Sequence, residues 1–102
     1  IYDVVRSVPK GRVTSYGAVA AAIGAKSGAR VVGYAMNVSF GAKPKVPAHR
    51  VVNRNGMLTG KHHFTPPEKM QQLLEKEGIK IKNDKVVAFE KIFWDPMIEL
   101  AM

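Results

Sequence analysis

The apolar residues of this chain fall into short periodic runs separated by glycine, proline and basic positions. Ile1, Val4, Val5 and Val8 recur at i, i+3, i+4 and i+7, which predicts one helical face that Pro9 closes. Lys10-Gly11 reads as a turn, and Arg12-Val13-Thr14 as an edge strand or loop. Ser15 is an N-cap candidate for a helix through Ala18-Val19-Ala20-Ala21-Ala22-Ile23, which Gly24 stops. Val19 and Ile23 are its expected core-facing pair. After Ala25-Lys26, Ser27 is a second N-cap candidate, for a helix from Gly28 to about Val38. Val31, Val32, Ala35 and Met36 make its predicted apolar face, and Arg30, Gly33, Tyr34 and Asn37 the opposite one. Two short helices joined by a tight turn suggest a helix-turn-helix. The second helix offers one arginine and a glycine outward, which suits close approach of backbone better than reading of base edges.

Residues 39–46 form a predicted loop with Gly41 and Pro44. Arg50-Val51-Val52-Asn53 is strand-like, Asn55-Gly56 is a tight turn, and Met57-Leu58 returns as a short strand. Thr59 to Phe64 is a polar, basic loop. Thr65-Pro66-Pro67-Glu68 predicts a capping box, with Thr65 at the N-cap and Glu68 at N3. Met70, Leu73, Leu74 and Glu77 share a face of the helix that follows, which ends at Gly78. Ile79-Lys80-Ile81-Lys82 alternates as a half-buried strand, Asn83-Asp84 turns it, and Lys85 to Phe89 pairs back. The chain then runs through Phe93-Trp94-Asp95-Pro96.

Charge sharpens this picture. The net charge is +8, and residues 1–54 carry nine Lys/Arg against the single acid Asp3. Residues 55–102 carry seven of each sign. A basic surface confined to one half is the electrostatic footprint of a nucleic-acid binder, because neutralised phosphates release counterions. No apolar run approaches the ~18 residues of a membrane span, so a membrane partner is not expected. There are no cysteines, which excludes disulfides, thiolate metal sites and thiol catalysis within these 102 residues.

The candidate chemistry is sparse. His49 is the natural base, and Glu77 or another acid could orient it, but an isolated histidine also serves as a structural group bonded to backbone. Lys61-His62-His63 invites a metal reading. Adjacent histidines on a strand point to opposite faces and no acid lies close in sequence, so no metal or cofactor is expected. Tyr16, just after an N-cap, reads first as a packing aromatic, and Arg30 as a surface charge or phosphate contact.

Five ordered blocks carry a resemblance. They are Val8-Pro9-Lys10-Gly11-Arg12-Val13-Thr14-Ser15-Tyr16-Gly17, Ala29-Arg30-Val31-Val32-Gly33, Pro47-Ala48-His49-Arg50-Val51-Val52, Gly56, and Leu74-Glu75-Lys76-Glu77-Gly78. In order and spacing they resemble the C-terminal, DNA-binding domain of the O6-alkylguanine-DNA alkyltransferases. That family's working motif is Pro-Cys-His-Arg, whose thiolate takes the alkyl group from guanine O6. Ala48 stands at the cysteine position, so the chain is most similar to the non-enzymatic alkyltransferase-like proteins. Phe93-Trp94-Asp95-Pro96 resembles the Trp-x-Pro ending of that subgroup, and Lys61 stands where several members carry a lesion-probing arginine. The chain departs from the alkyltransferase pattern at Ser39-Phe40-Gly41, where the family has an asparagine hinge.

The resemblance implies an α/β fold: a small winged helix-turn-helix-like domain, mainly helical with short strands, spanning residues 1–102 as one domain. It implies binding of O6-alkylguanine in double-stranded DNA by minor-groove docking and base flipping, without alkyl transfer. Arg30 would fill the gap in the base stack. Tyr16 would rotate the 3′ phosphate and contact the flipped base. Gly33 and Tyr34 would complete the DNA face. Tyr16, Pro47, Ala48, His49, Val51, Met57, Leu58, Thr59 and Lys61 would line the lesion pocket, and the Ala48 and Val51 carbonyls would accept from the guanine amine. His49, Arg50 and Glu77 would form a structural network. The implied partners are nucleotide excision repair proteins of the UvrA type, with a monomeric protein in the cytoplasm at the nucleoid of a bacterial cell. Two rivals remain at this level. One is an alkyltransferase whose cysteine has been changed to alanine, and the other a sequence-specific helix-turn-helix regulator.

Overall fold

The computed structural model describes residues 1–24 and 28–100. Its centre is a short parallel pairing. Strand β1 (Thr14–Ser15) lies beside β2 (Val51–Val52), with Thr14 opposite Val51 and Ser15 opposite Val52. On the other side Val13 bridges Phe93 in parallel. The Val13 N–H donates to the Ile92 carbonyl at 3.1 Å, and the Trp94 N–H donates to the Val13 carbonyl at 2.7 Å. Arg12 reinforces this seam by donating from Nε to Ile92 O at 2.9 Å and from Nη2 to Phe93 O at 2.8 Å. Residues 12–15 are therefore a central rung rather than the edge segment expected from their length.

Helix α1 (Tyr2–Arg6) buries Val5, and Val8 just beyond it is buried as well. Helix α2 (Tyr16–Ile23) begins as predicted, with Ser15 Oγ accepting from the Ala18 N–H at 3.0 Å, and it stops at Gly24, whose φ is 68°. The expected core pair is only half right. Val19 is buried, but Ile23 is 38% exposed and Ala20 takes the second core position. The buried stripe is centred between residues 19 and 20, and Ile23, in the last turn, lies at its edge.

Helix α3 (Ala29–Asn37) packs against α2 and buries Val32 and Met36. Val31, one step round the helix from that axis, is largely exposed rather than in the core. The Ser27 N-cap candidate lies outside the described residues.

Two 3-10 turns, Ser39–Gly41 and Ala48–Arg50, frame the segment leading into β2. Arg50 thus belongs to a helical turn, not to the strand. Asn53 Oδ1 then accepts from the Asn55 N–H at 2.9 Å and the Met57 N–H at 2.8 Å, which closes the Asn55-Gly56 turn. Met57 bridges antiparallel to Lys85. Strands β3 (Ile81–Lys82) and β4 (Lys85–Val86) form an antiparallel hairpin. Asn83 and Asp84 both adopt positive φ at its tip, as a two-residue hairpin turn requires.

The predicted capping box does not form. Helix α4 (Lys69–Lys76) starts later, with Glu68 as a cap that makes no side-chain bond. The prolines carry no N–H to be capped. The free donors of Lys69 and Met70 are taken by the carbonyls of Pro66 and Pro67 at 3.0 and 3.3 Å, so Thr65 has none to accept. Met70 and Leu74 are nonetheless fully buried, as the apolar spacing predicts. Helices α5 (Phe89–Ile92) and α6 (Pro96–Glu99) complete the fold, and Asp95 Oδ1 caps α6 by accepting from the Met97 N–H at 3.0 Å. Among the described residues no helix is long and apolar enough to cross a membrane.

Candidate functional site

The segment Pro47-Ala48-His49-Arg50-Val51 is fixed from below by one carboxylate. Glu77, just past the end of α4, has a side chain only 8% exposed. Its Oε2 lies 2.8 Å from His49 Nε2 and accepts from Arg50 Nη2 at 2.8 Å. Its Oε1 accepts from Arg50 Nε at 3.1 Å and from the Gly11 N–H at 3.0 Å. Arg50 also donates from Nη1 to the Val8 carbonyl at 2.9 Å. One acid therefore ties the 3-10 turn at Ala48 to the Pro9–Gly11 turn and to the end of α4.

The electrostatics follow from these bonds. Burial pushes the Glu77 carboxyl up, but the hydrogen bonds from Arg50, Gly11 and His49 outweigh it and hold it at about 2. Burial pushes His49 down, against the raising effect of Glu77, so its ring is neutral at physiological pH. A carboxylate only accepts, so the proton of neutral His49 sits on Nε2. The Ala48 carbonyl accepts from the Val51 N–H, which leaves it one lone pair for another donor.

Above this floor lies a cavity of about 850 Å3. Pro47, Ala48 and His49 form one wall, and Phe40, Phe64 and Leu73 supply an apolar one. Phe40 and Phe64 meet edge to face at 4.9 Å between ring centroids. Ala48 is buried and presents only its methyl group. The other predicted pocket residues gather on a separate side of the Ala48 turn. Val51 and Leu58 are fully buried in the core and do not line the cavity.

Tyr16 is half-buried beside Thr59, and burial pushes its phenol up while the Thr59 side chain works against that rise. The phenol is thus a neutral donor at physiological pH. Its hydroxyl rests directly on the 3-10 turn Thr59–His63, where a Cβ at Gly60 would stand 2.5 Å from the Tyr16 oxygen. Lys61, on the same turn, is ion-paired with Asp84 of the hairpin. The Leu58 N–H donates to the Asp84 carbonyl at 2.9 Å, so the hairpin holds the Met57–Lys61 segment from outside.

The outward face of α3 carries Arg30, Tyr34 and Asn37, all exposed, with Tyr34 at 71%. Gly33 lies among them with open space beyond its Cα, so helix backbone itself is presented there. Among the described residues no cluster of three or more His, Asp or Glu could hold a metal ion.

Sequence reasoning missed Gly60, Phe40 and Phe64, and it missed the backbone groups of Val8 and Gly11 that complete the Glu77 network. A glycine beside a threonine in a basic loop was the one signal for Gly60. Nothing local in Val8-Pro9-Lys10-Gly11 points to residue 77, 66 positions away.

A model of the 6-O-methylguanine DNA methyltransferase DNA-binding domain matches residues 1–79. Alkyltransferase-like protein 1 of Schizosaccharomyces pombe is 36% identical over 81 residues, which cover 79% of this chain and 74% of that protein. A DNA base-flipping protein of Vibrio parahaemolyticus is 35% identical over 97 residues, covering 94% of this chain and 93% of that one. The S. pombe Atl1 structure in complex with damaged DNA containing O6-carboxymethylguanine matches with a TM-score of 0.79 at 33% identity, over 93% of this chain and 91% of that chain.

Proposed function

The chain belongs to the 6-O-methylguanine DNA methyltransferase DNA-binding family as an alkyltransferase-like protein, and from that premise we propose that it binds O6-alkylguanine in duplex DNA without removing the alkyl group. The observation that carries this reading is the methyl group of Ala48 beside an intact His49–Glu77–Arg50 network. Alkyl transfer requires a lone pair that attacks the alkyl carbon. The Ala48 side chain has none, whereas everything that shapes the turn is retained. Neutral His49, with its Nε2 proton held by Glu77, orders the loop and has no thiol to activate.

Recognition then rests on backbone and shape. The free lone pair of the Ala48 carbonyl is available to the guanine exocyclic amine. Flipping a base costs a few kcal/mol of unstacking, and less for a lesion that pairs poorly. Arg30 on the exposed face of α3 offsets part of that cost by stacking in the vacated space. The neutral phenol of Tyr16 is a hydrogen-bond donor for the rotated phosphate, and exposed backbone at Gly33 suits a helix lying deep in the minor groove. Tyr34 is exposed beside Arg30 and suits a contact with the DNA backbone. The bound lesion is left for nucleotide excision repair by proteins of the UvrA type.

The test is the fate of the lesion. Stoichiometric protein is mixed with a duplex carrying O6-methylguanine, and both components are then recovered and weighed by mass spectrometry. The expected result is retained duplex, intact O6-methylguanine and unchanged protein mass. Conversion of the lesion to guanine would contradict the reading. Stimulation of lesion incision in a reconstituted UvrA-type system tests the repair hand-over, which fails if incision is slowed or unchanged.

A further inference from the structure

The cavity beyond Ala48 has a charge pattern that base recognition does not use. Six of its lining residues carry cationic or basic groups: Arg6, Lys45, His49, Arg50, His63 and Lys69. No carboxylate lines it. Arg50 is neutralised by Glu77, and Arg6 meets the fully exposed Asp3 at 3.3 Å. Lys45 and Lys69 make no ion pair among the described residues. The Arg6 Nε–H is buried with no acceptor, which leaves the wall a donor short of a partner. The apolar side of the same cavity, Phe40, Phe64 and Leu73, suits a short hydrocarbon stem.

This inference rests on the lesion-binding reading. A base seated on the Ala48 turn directs its O6 substituent at residue 48, where the family's acceptor atom stands. With only a methyl group there, a longer substituent passes over Ala48 into the cavity. We propose that the cavity is a subsite for O6 adducts that end in an anionic group, a carboxylate above all, with Lys45 and Lys69 as its counter-charges. The stem packs against the aromatic wall and the carboxylate accepts from the ammonium groups. Because both lysines are exposed, salt weakens the preference.

The experiment compares two duplexes identical except at one base: O6-carboxymethylguanine, and the neutral, nearly isosteric O6-carbamoylmethylguanine. Guanine and O6-methylguanine duplexes run alongside, and all are titrated at low and raised salt. The expected result is tighter binding of the carboxymethyl duplex by about fivefold, the upper end for a solvent-exposed ion pair. The ratio should fall toward one at high salt and in a Lys45→Gln/Lys69→Gln double variant whose fold is checked by circular dichroism. A ratio of one in the parent protein overturns the subsite. So does equal weakening of all four duplexes in the double variant, which would make the lysines phosphate contacts. A parent protein that does not prefer O6-methylguanine to guanine overturns the underlying reading instead.

Discussion

Replacing Glu77 with glutamine removes one charge and almost no volume, from a side chain that accepts bonds from three residues. The carboxyl is held at about 2 against an ordinary 4.5. At ~1.36 kcal/mol per unit, that difference is worth about 3 kcal/mol to the folded state. The figure agrees with the ~3–5 kcal/mol expected when one partner of a buried ion pair is lost and the other is left unpaired. Here Arg50, 17% exposed at the side chain, is the group left behind. The sign of the pH dependence is fixed. The folded-state pKa is depressed, so the contribution is fully present above 4.5 and disappears as pH falls to about 2. Denaturant unfolding of parent and Glu77→Gln across this range should show a gap of about 3 kcal/mol at neutral pH that closes toward the acid end. His49, held neutral by burial, adds loss of the same sign as pH falls below the histidine's usual 6.5. A gap that stays constant with pH, or one below ~0.5 kcal/mol at neutral pH, would refute the view that Glu77 is the ionised keystone of the turn.

Other substitutions probe the walls. Gly60→Ala drives a methyl group to 2.5 Å from the Tyr16 hydroxyl, so stability should fall by about 1–3 kcal/mol and lesion affinity with it, read by thermal melts and titration; a variant with parental values on both would show that Tyr16 is not seated there. Asp84→Asn frees Lys61 from a partly exposed pair, costing less than ~1 kcal/mol of stability while raising affinity for all DNA at low salt; unchanged affinity would mean that Lys61 does not face DNA. Ala48→Trp fills the floor of the cavity and should shift the affinity ratio toward O6-methylguanine over larger O6 adducts in matched duplexes; an unchanged ratio would show that residue 48 does not discriminate.

Local chemistry was the legible part of the fold. The Ser15 cap, the Gly24 stop and the Asn83-Asp84 turn each depend on one or two residues and their own backbone. The errors arose where neighbours decide. Thr65 had the right side chain, but two prolines and their carbonyls left it no donor to cap. Ile23 and Val31 had the right spacing, but periodicity fixes a stripe's direction and not how far its covering elements reach. Residues 12–15 looked too short to matter because their partners, residues 51–52 and 93, lie far along the chain. The site was legible mainly as a resemblance of ordered blocks. That route brought His49, Arg50 and Glu77 together. It could not foresee that the cavity beside Ala48 would be closed by Phe40 and Phe64 and lined by Lys45 and Lys69, since those residues lie outside the blocks.

The central claim is that this domain distinguishes an alkylated guanine by binding alone. Its most direct test is a titration of one duplex sequence with and without a single O6-methylguanine, at stated salt because the phosphate contribution is salt-sensitive. The account predicts clearly tighter binding of the lesion duplex, with Arg30→Ala reducing that preference more than Lys10→Ala does. Equal affinities for the two duplexes would contradict it and leave a general DNA-binding domain.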